Sequence, residues 1–147
     1  MQKKTLIRNI VFILILMWMS IVFQLSNQQS NKSTGLSQRI TKIFVSEEKV
    51  EIVEPYIRKI AHLSEYALGG ILFLSFFLTY NYSDKKRILL SLLFGTGYAT
   101  LDEIHQLFID GRAGQIKDVY IDTIGVLIGI CIAMIIYKIS KQNKEKI

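Results

Sequence analysis

The sequence predicts an all-α fold: an integral membrane four-helix bundle with an extracytoplasmic amphipathic segment after its first helix. Three observations predict it. Apolar residues come in blocks of about twenty, the length that crosses ~30 Å of hydrocarbon as a helix, and not at the amphipathic spacing of a soluble domain. Lysine and arginine collect just outside those blocks. Acids and histidines gather near block ends that share one side of the bundle, where an ionised group needs a protein partner or a wet cavity.

Composition agrees. Half of the 147 residues (50%) are hydrophobic and the mean hydropathy is +0.32, which places one domain's worth of chain in the membrane class. The net charge of +6 would raise nucleic acid as a partner in a soluble protein. Here the basic residues flank the spans and no basic groove interleaved with aromatics is visible, so nucleic acid is set aside. Cys131 stands alone in the middle of a block and reads as a small packing residue.

The elements follow in order, with spans expected at about 6–25, 60–80, 88–108 and 119–137. The first follows a basic flank (Lys3, Lys4, Arg8) and runs longer than a signal-peptide core, with no small-x-small cleavage pattern, so it reads as a retained span. Trp18 lies too deep for an interfacial belt and is expected to pack on a neighbouring helix. After a Ser/Asn-rich loop, Leu36, Ile40, Ile43 and Phe44 fall at i, i+4, i+7, i+8, the pattern of a short amphipathic helix on the membrane surface or of a lid. Ser46 reads as an N-cap, and Pro55 is expected to end or kink that helix near Glu54. Gly69-Gly70 allows close approach in the second span. The turn 81–87 holds Lys85, Lys86 and Arg87 before the third span. Asp110-Gly111 signals the turn before the fourth, and KISKQNKEKI reads as a frayed basic tail. With four spans, the N-terminus, the 81–87 turn and the tail fall on one side, which the positive-inside rule makes cytoplasmic. Segments 26–57 and 109–117 are then extracytoplasmic.

The start of the second span, the end of the third and the start of the fourth therefore share the outer face. There the sequence places His62, Glu65 and Tyr66 at i, i+3, i+4, then Asp102, Glu103, His105 and Gln106, then Asp118 and Asp122. Asp118, Asp122, Gly125 and Gly129 are spaced four apart, so both carboxylates sit on the stripe whose glycines would pack against another helix. Each residue alone has a structural reading. Glu103 can be solvated, Asp110 can be turn chemistry, His105 can be an interfacial histidine, Tyr66 and Tyr98 can be packing residues, and Arg112 can clamp an acid with its forked donors. Together they exceed what holding four helices requires, since buried ion pairs often fail to offset desolvation.

The same residues carry a family resemblance. The Lys59-x-x-His62-x-x-x-Tyr66 stripe, the Asp102-Glu103-x-His105-Gln106 block, Gly111-Arg112, Asp118 with Asp122, and Gly125 after them resemble the VanZ-like membrane proteins. The resemblance implies a small multi-pass bacterial plasma-membrane protein of the cell envelope, associated in some bacteria with tolerance of glycopeptides such as teicoplanin. It supplies no settled chemical activity.

Two function classes remain open, with a third behind them. In an enzyme, His62, Glu65, Asp102, His105 and Asp122 act as general acids and bases. Arg112 and Lys59 grip an anionic head group, and Glu103, Gln106, Asp118 and Tyr66 support the site. The substrate is a membrane lipid or a lipid-linked envelope precursor. In a transporter or proton-coupled binder the same acids relay protons without making a bond. A structural subunit of an envelope complex is the third reading. Asp102-x-x-His105 and His62-x-x-Glu65 are loose as metal ligands and no HExxH is present, so neither metal nor other cofactor is expected. The oligomeric state is not encoded in any of these patterns.

Overall fold

The computed structural model describes residues 2–27, 38–43, 45–109 and 114–145, and among these every regular element is helical. Helix α1 is Gln2–Ser26, the helical residues 38–43 belong to α2, α3 is Val50–Leu78, α4 is Asp84–Gln106 and α5 is Ile116–Glu145. Three stretches are long and apolar enough to cross a membrane: Gln2–Ser26, Glu47–Leu78 and Ile116–Asn143. Helix α4 has the length, but Gly95, Thr96, Gly97, Thr100, Asp102 and Glu103 dilute its apolar run.

The helices α3, α4 and α5 form the body of the bundle, and α1 leans on α3. Glycine sets the closest approach. A Cβ at Gly70 would strike the carbonyl oxygen of Val126, one at Gly129 would strike that of Ala67, and one at Gly125 would lie 2.5 Å from that of Leu63. Backbones meet where side chains are missing, which is how helices associate in lipid without a hydrophobic force between them. Trp18 packs as expected: it is 5% exposed, fills the space left by Gly69, and donates its indole N–H to the Glu65 carbonyl at 3.1 Å. Its ring meets Tyr66 and Phe73 edge-on at 5.9 Å each.

The sequence reading needs several corrections. Pro55 does not end α3, which runs through it from Val50. Proline lies in the second turn there, so the ladder loses only one bond, to Glu51, and Glu51 is exposed. The helix therefore begins about ten residues before the expected span at 60. At the other end α5 continues past Tyr137 to Glu145, so most of the basic tail is helix and not frayed. Cys131 is exposed on α5 instead of packed. Ser46 precedes a 3-10 turn, Glu47–Lys49, with extended backbone but no side-chain cap bond. Of the amphipathic segment, Leu36 and Phe44 lie outside the described residues, while Ile40 and Ile43 point outward and Thr41 is the buried one.

Replacing Gly129 by Leu is expected to force α3 and α5 apart and lower stability by about 1–3 kcal/mol. Gly97→Ala, where an added Cβ meets nothing within 4 Å, is expected to leave stability unchanged or raise it by up to about 1 kcal/mol. Thermal unfolding of the two variants in detergent checks both.

Candidate functional site

The glycine seam brings His62 of α3 to Asp122 of α5, with Nδ1 3.9 Å from Oδ1. That is an ion-pair distance but too long for a hydrogen bond. The Asp122 side chain is 1% exposed, and neither of its oxygens has a hydrogen-bond partner among the described residues. Leaving a buried acceptor unbonded costs about 1–3 kcal/mol, so the fold alone does not explain this carboxylate. Glu103, Asp102, Asp118 and Glu65 all lie within electrostatic reach of it. Tyr66, fully buried, is in reach of Asp102, Asp122 and Glu65.

The end of α4 is held by its own polar ladder. Gln106 Nε2 donates to Asp102 Oδ2 at 3.2 Å and to Glu103 Oε1 at 3.1 Å. The other oxygen of Glu103 accepts the Gln115 backbone N–H at 2.9 Å, just before α5 begins. A carboxylate there satisfies a helix-start donor and complements the positive end of the helix dipole. Glu103, 5% exposed, is thus a buried bracket between α4 and α5, and the solvated alternative is overturned. Gly114 completes the bracket, since a Cβ on it would collide with the Glu103 carbonyl. His105 stacks on Phe23 of α1, with ring centres 4.6 Å apart, and its buried Nε2 has no partner among the described residues.

Next to this cluster an apolar groove of about 660 Å³ opens between α1, α3 and α4. Phe12, Phe73, Phe76, Phe94 and Leu101 line it, and Gly97 leaves its wall open. Tyr98 stands at the end nearer the acids, donating its hydroxyl to the Met19 carbonyl of α1. One turn further along α4 come Asp102 and then His105.

The structure therefore brings together His62, Glu65, Tyr66, Asp102, Glu103, Gln106, Asp118 and Asp122, with His105 on the side facing α1. Lys59 is exposed on α3, one turn before His62. Asp110, Gly111 and Arg112 lie outside the described residues. Among the described residues no three His, Cys, Asp or Glu side chains are placed to hold a metal ion. Sequence reasoning missed Glu54, which is 8% exposed on α3. It precedes Glu65 by three turns on nearly the same face, a signal hidden by the expectation that Pro55 broke the helix. Phe23 and the Gln115 amide were missed too, because neither residue type announces a polar site.

A family model described as VanZ/LLP1 matches residues 11–137. The chain belongs to the VanZ/LLP1 family. The VanZ/LLP1 match runs from α1 to Tyr137 and takes in every residue of the acid and imidazole cluster, along with both walls of the apolar groove. No curated protein and no solved structure matches the chain.

Two substitutions separate structural from site roles. Glu103→Ala removes the buried carboxylate that accepts from the part-buried Gln115 amide and from Gln106, and is expected to lower stability by about 1–3 kcal/mol. Asp122→Asn removes a buried carboxylate that has no hydrogen-bond partner among the described residues and is expected to leave the melting temperature unchanged or raise it. Melting both variants beside the parent protein tests the contrast.

Proposed function

We propose that this VanZ/LLP1 protein acts on the head group of an anionic lipid or lipid-linked envelope precursor in the outer leaflet of a bacterial plasma membrane. Its tail lies along the groove and its head enters the acid and imidazole cluster. The observation that carries this reading is the Asp122 carboxylate, which is buried, faces His62 and has no hydrogen-bond partner among the described residues, while the apolar groove ends at Tyr98 and Leu101 beside Asp102 in α4. An unsatisfied carboxylate beside an imidazole is suited to accept a donor from a ligand hydroxyl and to pass a proton. An amphiphile is the ligand class that uses an oily groove and a polar pocket together.

In this reading the bundle crosses the membrane four times with both ends inside, so that the cluster meets the outer leaflet. Asp102, held by Gln106, and His105, set by Phe23, complete the proton-handling set. Lys59 at the rim and Arg112, which follows α4 in sequence, take the phosphate of the head group away from the acids. A lowered susceptibility to glycopeptides would follow from a changed envelope lipid or precursor. The second reading is a proton-coupled transporter. The mutual proximity of Glu65, Asp102, Glu103, Asp118 and Asp122 favours it, because clustered intramembrane acids also serve proton relays.

Lipid and wall-precursor profiles of cells with and without the protein distinguish the two. An enzyme produces a new covalent species, and a transporter only redistributes existing ones between leaflets. Asp102→Asn, His105→Ala and Asp122→Asn are each expected to cut the change by about 10²–10⁴-fold while the protein stays inserted and folded. Full retention of the change, and of any glycopeptide tolerance, in all three variants would overturn the proposal.

A further inference from the structure

The far end of the bundle, where α4 starts and α5 finishes, carries a polar cavity whose lining is mainly basic. It measures about 500 Å³ and is lined by Asp84, Arg87, Tyr137, Lys138, Lys141 and Gln142. Arg87, Lys138 and Lys141 are the cations of this lining and Asp84 is its carboxylate, whose Oδ1 accepts from Arg87 Nη1 at 2.8 Å. Arg87 is unusually well held for a surface cation. Its side chain is 12% exposed, Nη2 donates to the Tyr80 carbonyl at 2.9 Å, and the guanidinium lies 5.7 Å over the Tyr137 ring. Its Nε is buried and has no partner among the described residues. A guanidinium held in place on the wall of a cavity that two lysines one turn apart also line is a preorganised place for an anion.

The surroundings say what kind of anion. Tyr80 and Tyr82 stack at 5.4 Å on this rim, Arg8 lies over Tyr80 at 5.2 Å, and Lys86 lies over Tyr82 at 4.2 Å. Tyrosine rings capped by cations at the end of apolar helices are the signature of the membrane–water interface. An anion that reaches a cavity at that depth and is concentrated there by the membrane itself is a lipid phosphate. We propose that the cavity of Arg87, Lys138 and Lys141 binds the phosphate of an anionic lipid in the leaflet covering this end of the bundle. It is a site separate from the acid cluster and does not depend on any activity there. It would seat α4 and α5 against each other and hold the bundle at a set depth.

The test uses the full chain reconstituted in nanodiscs of phosphatidylcholine with phosphatidylglycerol, followed by native mass spectrometry of the lipid that stays bound. Phosphatidylglycerol is expected to be retained in preference to phosphatidylcholine. The double variant Lys138→Gln/Lys141→Gln is expected to lower that preference by on the order of tenfold or more, from two lysines near a charged surface. The control Lys3→Gln/Lys4→Gln removes as much charge at the same end from exposed residues that do not line the cavity, and is expected to leave it largely intact. Equal loss in the two pairs would mean diffuse surface attraction and overturn the site, as would retention without lipid preference. Displacement of bound phosphatidylglycerol only by other anionic lipid supports the lipid phosphate. Equal occupancy by inorganic phosphate at millimolar concentration, with no lipid retained, would assign the cavity to a soluble anion and overturn the lipid reading.

Discussion

The contact between the backbones of α3 and α5 is the constraint on which the rest of the structure depends. Gly70, Gly125 and Gly129 each stand where a Cβ would run into a carbonyl of the other helix. Three such positions along two helices leave little freedom to slide or rotate. Leu63, whose carbonyl meets Gly125, follows His62, and Gly125 stands one residue short of a turn after Asp122. The close approach that gives the helices dispersion contact in lipid therefore also sets the 3.9 Å between imidazole and carboxylate. The cluster is geometrically a consequence of the seam.

Trp18 performs the corresponding task for α1. Its indole occupies the notch at Gly69 and donates to the Glu65 carbonyl, which binds α1 to α3 near the level of the acids. Against α4 the same helix makes lighter contact, through the Tyr98 hydroxyl on Met19 and the His105 ring on Phe23. Because α1 is drawn to α3 at one depth and only touches α4, the space between them remains as the apolar groove. Along α4 its lining ends at Tyr98 and Leu101, next to Asp102.

The two ends of the bundle satisfy their charges differently. At the basic end Arg87 has a carboxylate, a backbone carbonyl and a tyrosine face, and neighbouring cations lie over aromatic rings. At the acidic end both oxygens of Glu103 accept hydrogen bonds in its bracket, while Asp122 has no hydrogen-bond partner among the described residues. Replacing buried charge by apolar residues is often neutral or better for stability, so an unsatisfied carboxylate in a bundle this small points to a task other than folding. The structural and functional acids stand side by side on the same elements, and burial alone does not tell them apart.

Much of this was legible in the chain because helical periodicity is local. The apolar runs, the stripe of His62, Glu65 and Tyr66, the four-residue spacing from Asp118 to Gly129, and the inward turn of Asp122 all follow from 3.6 residues per turn and the length of a span. Tertiary structure decided what local pattern does not encode. It let α3 run through Pro55 and so put Glu54 on the site's face, turned Glu103 from a surface acid into a bracket for the Gln115 amide, and left Cys131 outside. It also opened the groove beside Tyr98 and the cavity at Arg87. The physical reason is the same in each case. A sequence states which residues share a helix face, but the rotation and lean of one helix against another are set by contacts between residues far apart in the chain, here Gly125 on Leu63 and Trp18 on Gly69.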